Sequence, residues 1–231
     1  PLSPSLSPSR VFHQKSWKFT DIEVGTISMG DVDGDGKDDL VVKATSGQWL
    51  RFQNNTSSTA VFNWNFTSIG NGWDGLTAYS VNDKFMLGDI NGDGKDDMII
   101  RTNDTGEWYW AASNGVSFVT AVPLYIGNNY INRYLSGDQI RFADVNGDGF
   151  DDLVARRSSA DEWWISMNEG DNSLHSGIQP VIDGTLTAYN SENLISVGDY
   201  DGGGIADLFV RRPSTLRWYL SRHVSGWTSG D

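Results

Sequence analysis

The chain has 231 residues, 38% of them hydrophobic, with 26 glycines and ten tryptophans, a composition that describes one folded, turn-rich domain rather than a disordered polypeptide. A formal net charge of -13 disfavours the phosphate backbone of nucleic acids and anionic membrane surfaces, and leaves cations as natural partners. With no cysteine there is neither a disulfide framework nor thiolate chemistry, and no apolar run approaches the roughly 20 residues that cross a bilayer, so no membrane insertion is expected.

Residues 1–10, PLSPSLSPSR, read as a Pro/Ser-rich linker to something upstream, and a single domain is expected over 11–231. At Gly30 begins the segment GDVDGDGKDDLVV, which returns as GDINGDGKDDMII from Gly88, ADVNGDGFDDLVA from Ala143 and GDYDGGGIADLFV from Gly198. Their first aspartates, Asp31, Asp89, Asp144 and Asp199, lie 58, 55 and 55 residues apart. That period exceeds a solenoid turn and suits a four-stranded propeller blade.

Within each unit an apolar strand such as LVVKA follows the Asp segment, and an aromatic strand follows that, marked by Trp49, Trp108, Trp163 and Trp218. Large aromatics dominate burial, so these four are expected to wedge between blades as core. A return segment precedes the next repeat, with Tyr79, Tyr134 and Tyr189 in equivalent places. The expected fold is therefore all-β, a β-propeller of four blades with about four antiparallel strands each. Only 34 residues remain from Gly198 onward, too few for a whole unit, while Val11 to Met29 can supply the remainder. The last blade is thus expected to be closed by N- and C-terminal strands; a fragment of a larger ring or an assembly of chains are the alternatives.

The Asp segments have the spacing of a loop that wraps a hard cation, with side-chain oxygens at positions one, three, five and nine and a backbone carbonyl at position seven. The first loop offers Asp31, Asp33, Asp35, Lys37 through its carbonyl, and Asp39; the second Asp89, Asn91, Asp93, Lys95 and Asp97. The third offers Asp144, Asn146, Asp148, Phe150 and Asp152. The fourth keeps Asp199, Asp201, Ile205 and Asp207 but has Gly203 at position five, so three strong calcium sites and a weaker or empty fourth are expected. An EF-hand needs a Glu at position twelve, where this chain has Val42, Ile100, Ala155 and Val210.

On these motifs the chain resembles the FG-GAP or VCBS repeats found in integrin α-chain propellers and in many secreted bacterial and fungal proteins. The resemblance implies calcium in the Asp loops and a secreted, extracellular or cell-surface location. Catalysis has little support, because His13, His175 and His223 fall at no repeated position and no nucleophile elbow occurs. Trp64 and Trp73, with Asn71 and Asp74, depart from the repeat and form either a candidate platform for a sugar ring or a buried loop anchor. The expectation is a non-catalytic calcium-binding module that binds glycans; the alternative is a protein-interaction, adhesion or structural module, with an enzymatic propeller a distant third.

Overall fold

The computed structural model describes residues 27–43, 49–54, 66–70, 83–126, 138–157, 162–171, 173–175 and 194–221. Among these residues there is no helix; the chain forms successive antiparallel sheets, one per Asp loop. The first holds β1 (Ile27–Gly30), β2 (Asp39–Lys43), β3 (Trp49–Phe52) and β4 (Phe66–Gly70) in that order, and the second β5 (Lys84–Gly88), β6 (Asp97–Arg101), β7 (Trp108–Ala111) and β8 (Val122–Pro123). After the short β9 (Tyr125–Ile126), the third sheet has three described strands, β10 (Gln139–Ala143), β11 (Asp152–Arg157) and β12 (Glu162–Ser166). The fourth follows β13 (Ser173–Leu174) and has β14 (Leu194–Gly198), β15 (Asp207–Arg212) and β16 (Arg217–Ser221). An unforeseen parallel pair, β9 with β13, ties the end of the second unit to the end of the third.

The first strands of the units lie side by side, β1 against β5, β5 against β10, and β10 against β14, so the sheets are set like blades around their inner strands. Strand alternation explains the packing between them, because successive side chains leave opposite faces of a sheet. Counting from each loop's first Asp, the residue ten places on, such as Val41, Ile99 or Val154, faces the following unit. Its neighbours nine and eleven places on, such as Met98 with Ile100 or Leu208 with Val210, face the preceding one. One core cluster accordingly joins Val41 and Trp49 to Met98 and Ile100, a second joins Ile99 and Trp108 to Leu153 and Ala155, and a third joins Val154 and Trp163 to Leu208 and Val210.

Three of the four repeated tryptophans behave as expected. Trp49, Trp108 and Trp163 are buried, and the first two lean on the inner strand of the next unit, with ring centroids 4.4 Å from Phe85 and 6.2 Å from Phe142. Trp218 differs, being 64% exposed, because among the described residues no following unit covers it. Each of these tryptophans sits directly across a strand pair from a cation, Lys43, Arg101, Arg156 or Arg211, a regularity that the motifs did not announce. The segment Val11 to Met29 also divides: Ile27, Ser28 and Met29 pair with β2 in the first sheet rather than the fourth, and the rest of the segment lies outside the described residues. Tyr79, Tyr134 and Tyr189 lie outside the described residues.

Leu153 is fully buried in the cluster between the second and third sheets, whereas Val116 is 65% exposed. Leu153→Ala should lower the unfolding free energy by about 2–5 kcal/mol through the lost transfer energy and the cavity left behind. Val116→Ala should stay within about 0.5 kcal/mol, and chemical denaturation of the two variants checks the contrast.

Candidate metal loops and the junctions between them

Each Asp loop is the connection of a hairpin. Gly30 pairs with Asp39, Gly88 with Asp97, Ala143 with Asp152 and Gly198 with Asp207, so positions one to eight bridge two neighbouring strands. The position-one carboxylate shapes the turn by accepting backbone N–H groups from across it: Asp89 takes those of Gly92 at 2.7 Å, Asp93 at 3.2 Å and Gly94 at 2.7 Å. Asp31 and Asp199 do the same with the residues at positions four, five and six of their loops, and Asp144 with those at positions three, four and six. Positions four and six stand at positive φ in every loop, for example 71° at Gly92 and 78° at Gly94.

The position-nine aspartates, Asp39, Asp97, Asp152 and Asp207, are buried. Asp97 accepts the N–H of Ile90 at 3.2 Å and that of Ser113 at 2.8 Å, and Asp152 those of Val145 and Asn168 at the same distances. One carboxylate thereby fastens the start of its loop to the chain just beyond the aromatic strand. Burial pushes the Asp97 and Asp152 carboxyls up to about 7, and it raises Asp39 and Asp89 as well. Asp199, which is exposed, is instead lowered, chiefly by the Gly204 N–H it accepts. Taking a carboxylate out of water favours its neutral form unless a cation or hydrogen bonds compensate.

The residues present fit a hard cation. Asp31, Asp33 and Asp35 bring carboxylate oxygens within 4.8 Å of one another, and so do Asp199, Asp201 and Asp207, despite Gly203. In the first loop Asp33 Oδ1 and Asp39 Oδ2 are buried without a hydrogen-bond partner, which is the state a metal would relieve. An all-oxygen donor set suits calcium rather than a softer ion. The second and third loops present Asn91 and Asn146 at position three. At position seven, Lys37 and Lys95 turn back to pair with Asp35 and Asp93, each at 2.8 Å, so their side chains compensate the position-five charge. Position twelve lies inside β2, β6, β11 and β15, as a loop without an EF-hand's second helix requires.

The motifs missed two residues of the first site. Arg51 on β3 is buried, stands 3.3 Å from Asp33 Oδ2 and 3.6 Å from Asp39 Oδ2, and donates to the Gly115 carbonyl of the next unit at 2.8 Å. Gln53 donates to the same Asp33 oxygen. In the corresponding register the other units carry Trp110, Ile165 and Leu220, so this internal cation belongs to the first repeat alone. Trp64, Asn71, Trp73 and Asp74, the sugar-platform candidates, lie outside the described residues.

Successive loops are also bonded to each other. The N–H at position eight of one loop donates to the carbonyl at position one of the loop before it: Asp96 to Asp31, Asp151 to Asp89 and Ala206 to Asp144, each at 2.7 Å. Where position eight is Asp the bond is returned, because Asp31 N donates to Asp96 Oδ2 at 2.8 Å and Asp89 N to Asp151 Oδ2 at 3.0 Å. Burial raises these two carboxyls to about 7 and about 8.

Comparison with known proteins agrees with this geometry. The model of the FG-GAP-like repeat matches residues 89–155 and 144–210, and that of the FG-GAP repeat matches residues 24–62. The chain belongs to the FG-GAP repeat family. No curated protein matches it. Among solved structures, an Agrocybe aegerita lectin described as recognising non-reducing terminal N-acetylglucosamine superposes with a TM-score of 0.56 at 21% identity, over 79% of this chain and 45% of the lectin. The Photorhabdus luminescens Tc holotoxin pore superposes with a TM-score of 0.58 at 15% identity, over 87% of this chain and 9% of that one. The FG-GAP chain thus spans less than half of either neighbour, and at these identities the likeness is one of fold.

Two glycines of the second loop separate crowding from backbone strain. A Cβ on Gly92 would lie 2.6 Å from the Phe150 ring, whereas one on Gly94 would meet nothing within 4 Å. Gly94→Ala should cost about 1–2 kcal/mol for the left-handed backbone alone, and Gly92→Ala clearly more. Equal losses in thermal or chemical unfolding would show that the loops are not packed against one another as described.

Proposed function

We propose that this protein is a non-catalytic, calcium-binding four-bladed propeller whose rigid, loop-decorated frame recognises glycans, the ring being completed by N- and C-terminal strands. The observation that supports the glycan reading is the likeness of 79% of the chain to the Agrocybe aegerita lectin, on a chain whose negative charge disfavours nucleic acid and anionic membranes. Trp64 and Trp73 with Asn71 and Asp74 remain the proposed stacking and hydrogen-bonding groups. A second reading, a structural or protein-interaction module, draws on the likeness to part of the Tc holotoxin pore. An extracellular or cell-surface location accords with millimolar calcium around such loops. A broad glycan array probed with calcium present separates the readings: binding that Trp64→Phe and Trp73→Phe weaken supports the lectin, and no binding to any glycan favours the interaction module.

The support for calcium is the pair of converging carboxylate clusters and the orphaned oxygens of Asp33 and Asp39. The proposed ranking places the fourth loop last, because Gly203 removes a charged ligand even though Asp199, Asp201 and Asp207 converge. Extracellular modules bind calcium at about 0.1–1 mM, so millimolar calcium would add roughly 0.4–1.4 kcal/mol per site. Calcium should therefore raise the melting temperature and EDTA should lower it, and a melting curve indifferent to both would sink the assignment. Asp89→Ala should remove more of the calcium-dependent shift than Asp199→Ala.

Arg51 adds a sharper expectation for the first loop. A guanidinium beside Asp33 and Asp39 supplies some of the charge that calcium would supply, so the two compete. Arg51→Met should lower the melting temperature in EDTA, since the bond to Gly115 is lost, yet enlarge the shift that calcium produces. A shift equal to that of the unaltered protein would show that Arg51 does not oppose binding.

A further inference from the structure

The three loop junctions follow a rule that names a fourth. The residue just before position one is Gly30 in the first repeat and Gly88 in the second, and the partners at position eight of the following loop are Asp96 and Asp151. A Cβ on Gly88 would fall 2.8 Å from Asp151 Oδ2, and one on Gly30 would intrude on Asp96 in the same way. At the third junction the pair is Ala143 with Ala206: the carboxylate has gone, and with it the need for glycine. Glycine thus accompanies Asp and alanine accompanies alanine. Gly198, before the fourth loop, calls for an Asp, and position eight of the first loop is Asp38.

The two ends are complementary in other respects. Gly198 and Asp199 are exposed and Gly198 has no atom within 4 Å of its absent Cβ, while Asp38 is exposed at the other end. Trp218, which by repetition should lean on the inner strand of a following unit, is 64% exposed, and Ile27 and Met29 on the inner strand of the first unit are 55% and 58% exposed. Val42, Leu50 and Phe52 form a cluster on the face of the first sheet that in the other units meets a preceding blade. Ser113 and Asn168 each donate to the position-two carbonyl of the preceding loop, at 2.6 and 2.9 Å, and Asn54 holds the equivalent place in the first unit.

We propose that the first and fourth repeats of the same chain meet in a fourth junction, with Asp38 Oδ2 accepting the N–H of Asp199 over Gly198 and Trp218 packing on Ile27 and Met29. The occupant of the exposed fourth blade is thus this chain's own first loop, and the proposal rests on the closed-ring part of the reading above. A double-mutant cycle tests it. Gly198→Ala should lower the unfolding midpoint by at least about 3 °C, and adding Asp38→Ala, which recreates the natural Ala143 and Ala206 pairing, should recover more than half of the loss. Gly30→Ala with and without Asp96→Ala serves as the control at a junction already described. If Gly198→Ala fails to fold, recovery of the folded double variant is itself the readout. Additive effects of the two substitutions would overturn the junction, and coupling that appears only in a dimer, or that depends on protein concentration, would overturn its single-chain form. Acrylamide quenching compared between the unaltered protein and Trp218→Phe separates two failures: Trp218 shielded without coupling means a ring closed by other contacts, and Trp218 open to quencher means no ring.

Discussion

The buried carboxylate at position nine is the constraint on which each repeat depends. Asp97 is removed from water, yet it collects the N–H of Ile90 at the start of its loop and the N–H of Ser113 after the aromatic strand. Three points of one repeat, the start of the loop, its end and the chain beyond the aromatic strand, are held by one group, and any apolar replacement would leave two buried donors unmatched. The neighbouring position eight does the complementary work between repeats, joining Asp96 to Asp31 and Asp151 to Asp89 in both directions. Two consecutive aspartates therefore divide the labour, one binding the blade together and the next binding it to the blade before.

Much of this was legible because it is local. The Asp spacing, the glycines at positions four and six, and the two-residue alternation of LVVKA and its counterparts are all contained within about a dozen residues, and β2, β6, β11 and β15 begin at position nine in every repeat. The position-twelve residues, Val42, Ile100, Ala155 and Val210, pointed to strands and lie in them.

What escaped the sequence is non-local or too short to carry a pattern. Gly30 and Asp96 meet across more than sixty residues, and only a comparison of pairs across repeats, Gly with Asp and Ala with Ala, would have exposed the link. Arg51 looks like an ordinary strand residue until β3 is placed beside the first loop, although its departure from Trp110, Ile165 and Leu220 was a visible signal. The two-residue strands β9 and β13 are too brief for any periodicity. Trp218 repeats the chemistry of Trp49 but not its surroundings, since burial depends on which sheet comes next.

The loops separate the groups that shape the hairpin from the groups whose charge changes between repeats. The carboxylates at positions one and nine accept the backbone N–H groups that define the turn of each hairpin. The charges that change between repeats are those at positions three and five, where Lys37 and Lys95 answer position five alike in the first two loops and the other solutions differ. Arg51 and Gln53 attend Asp33, Lys95 attends Asp93, Asn146 donates to Asp148 at 2.9 Å, and the fourth loop simply omits the position-five carboxylate. Counted with Arg51, Lys37 and Lys95, the groups at positions three and five balance in the first two loops and leave one negative charge in each of the last two. Four loops of one design should therefore differ in metal affinity while keeping one backbone geometry, because the groups that set the shape are not the groups that vary.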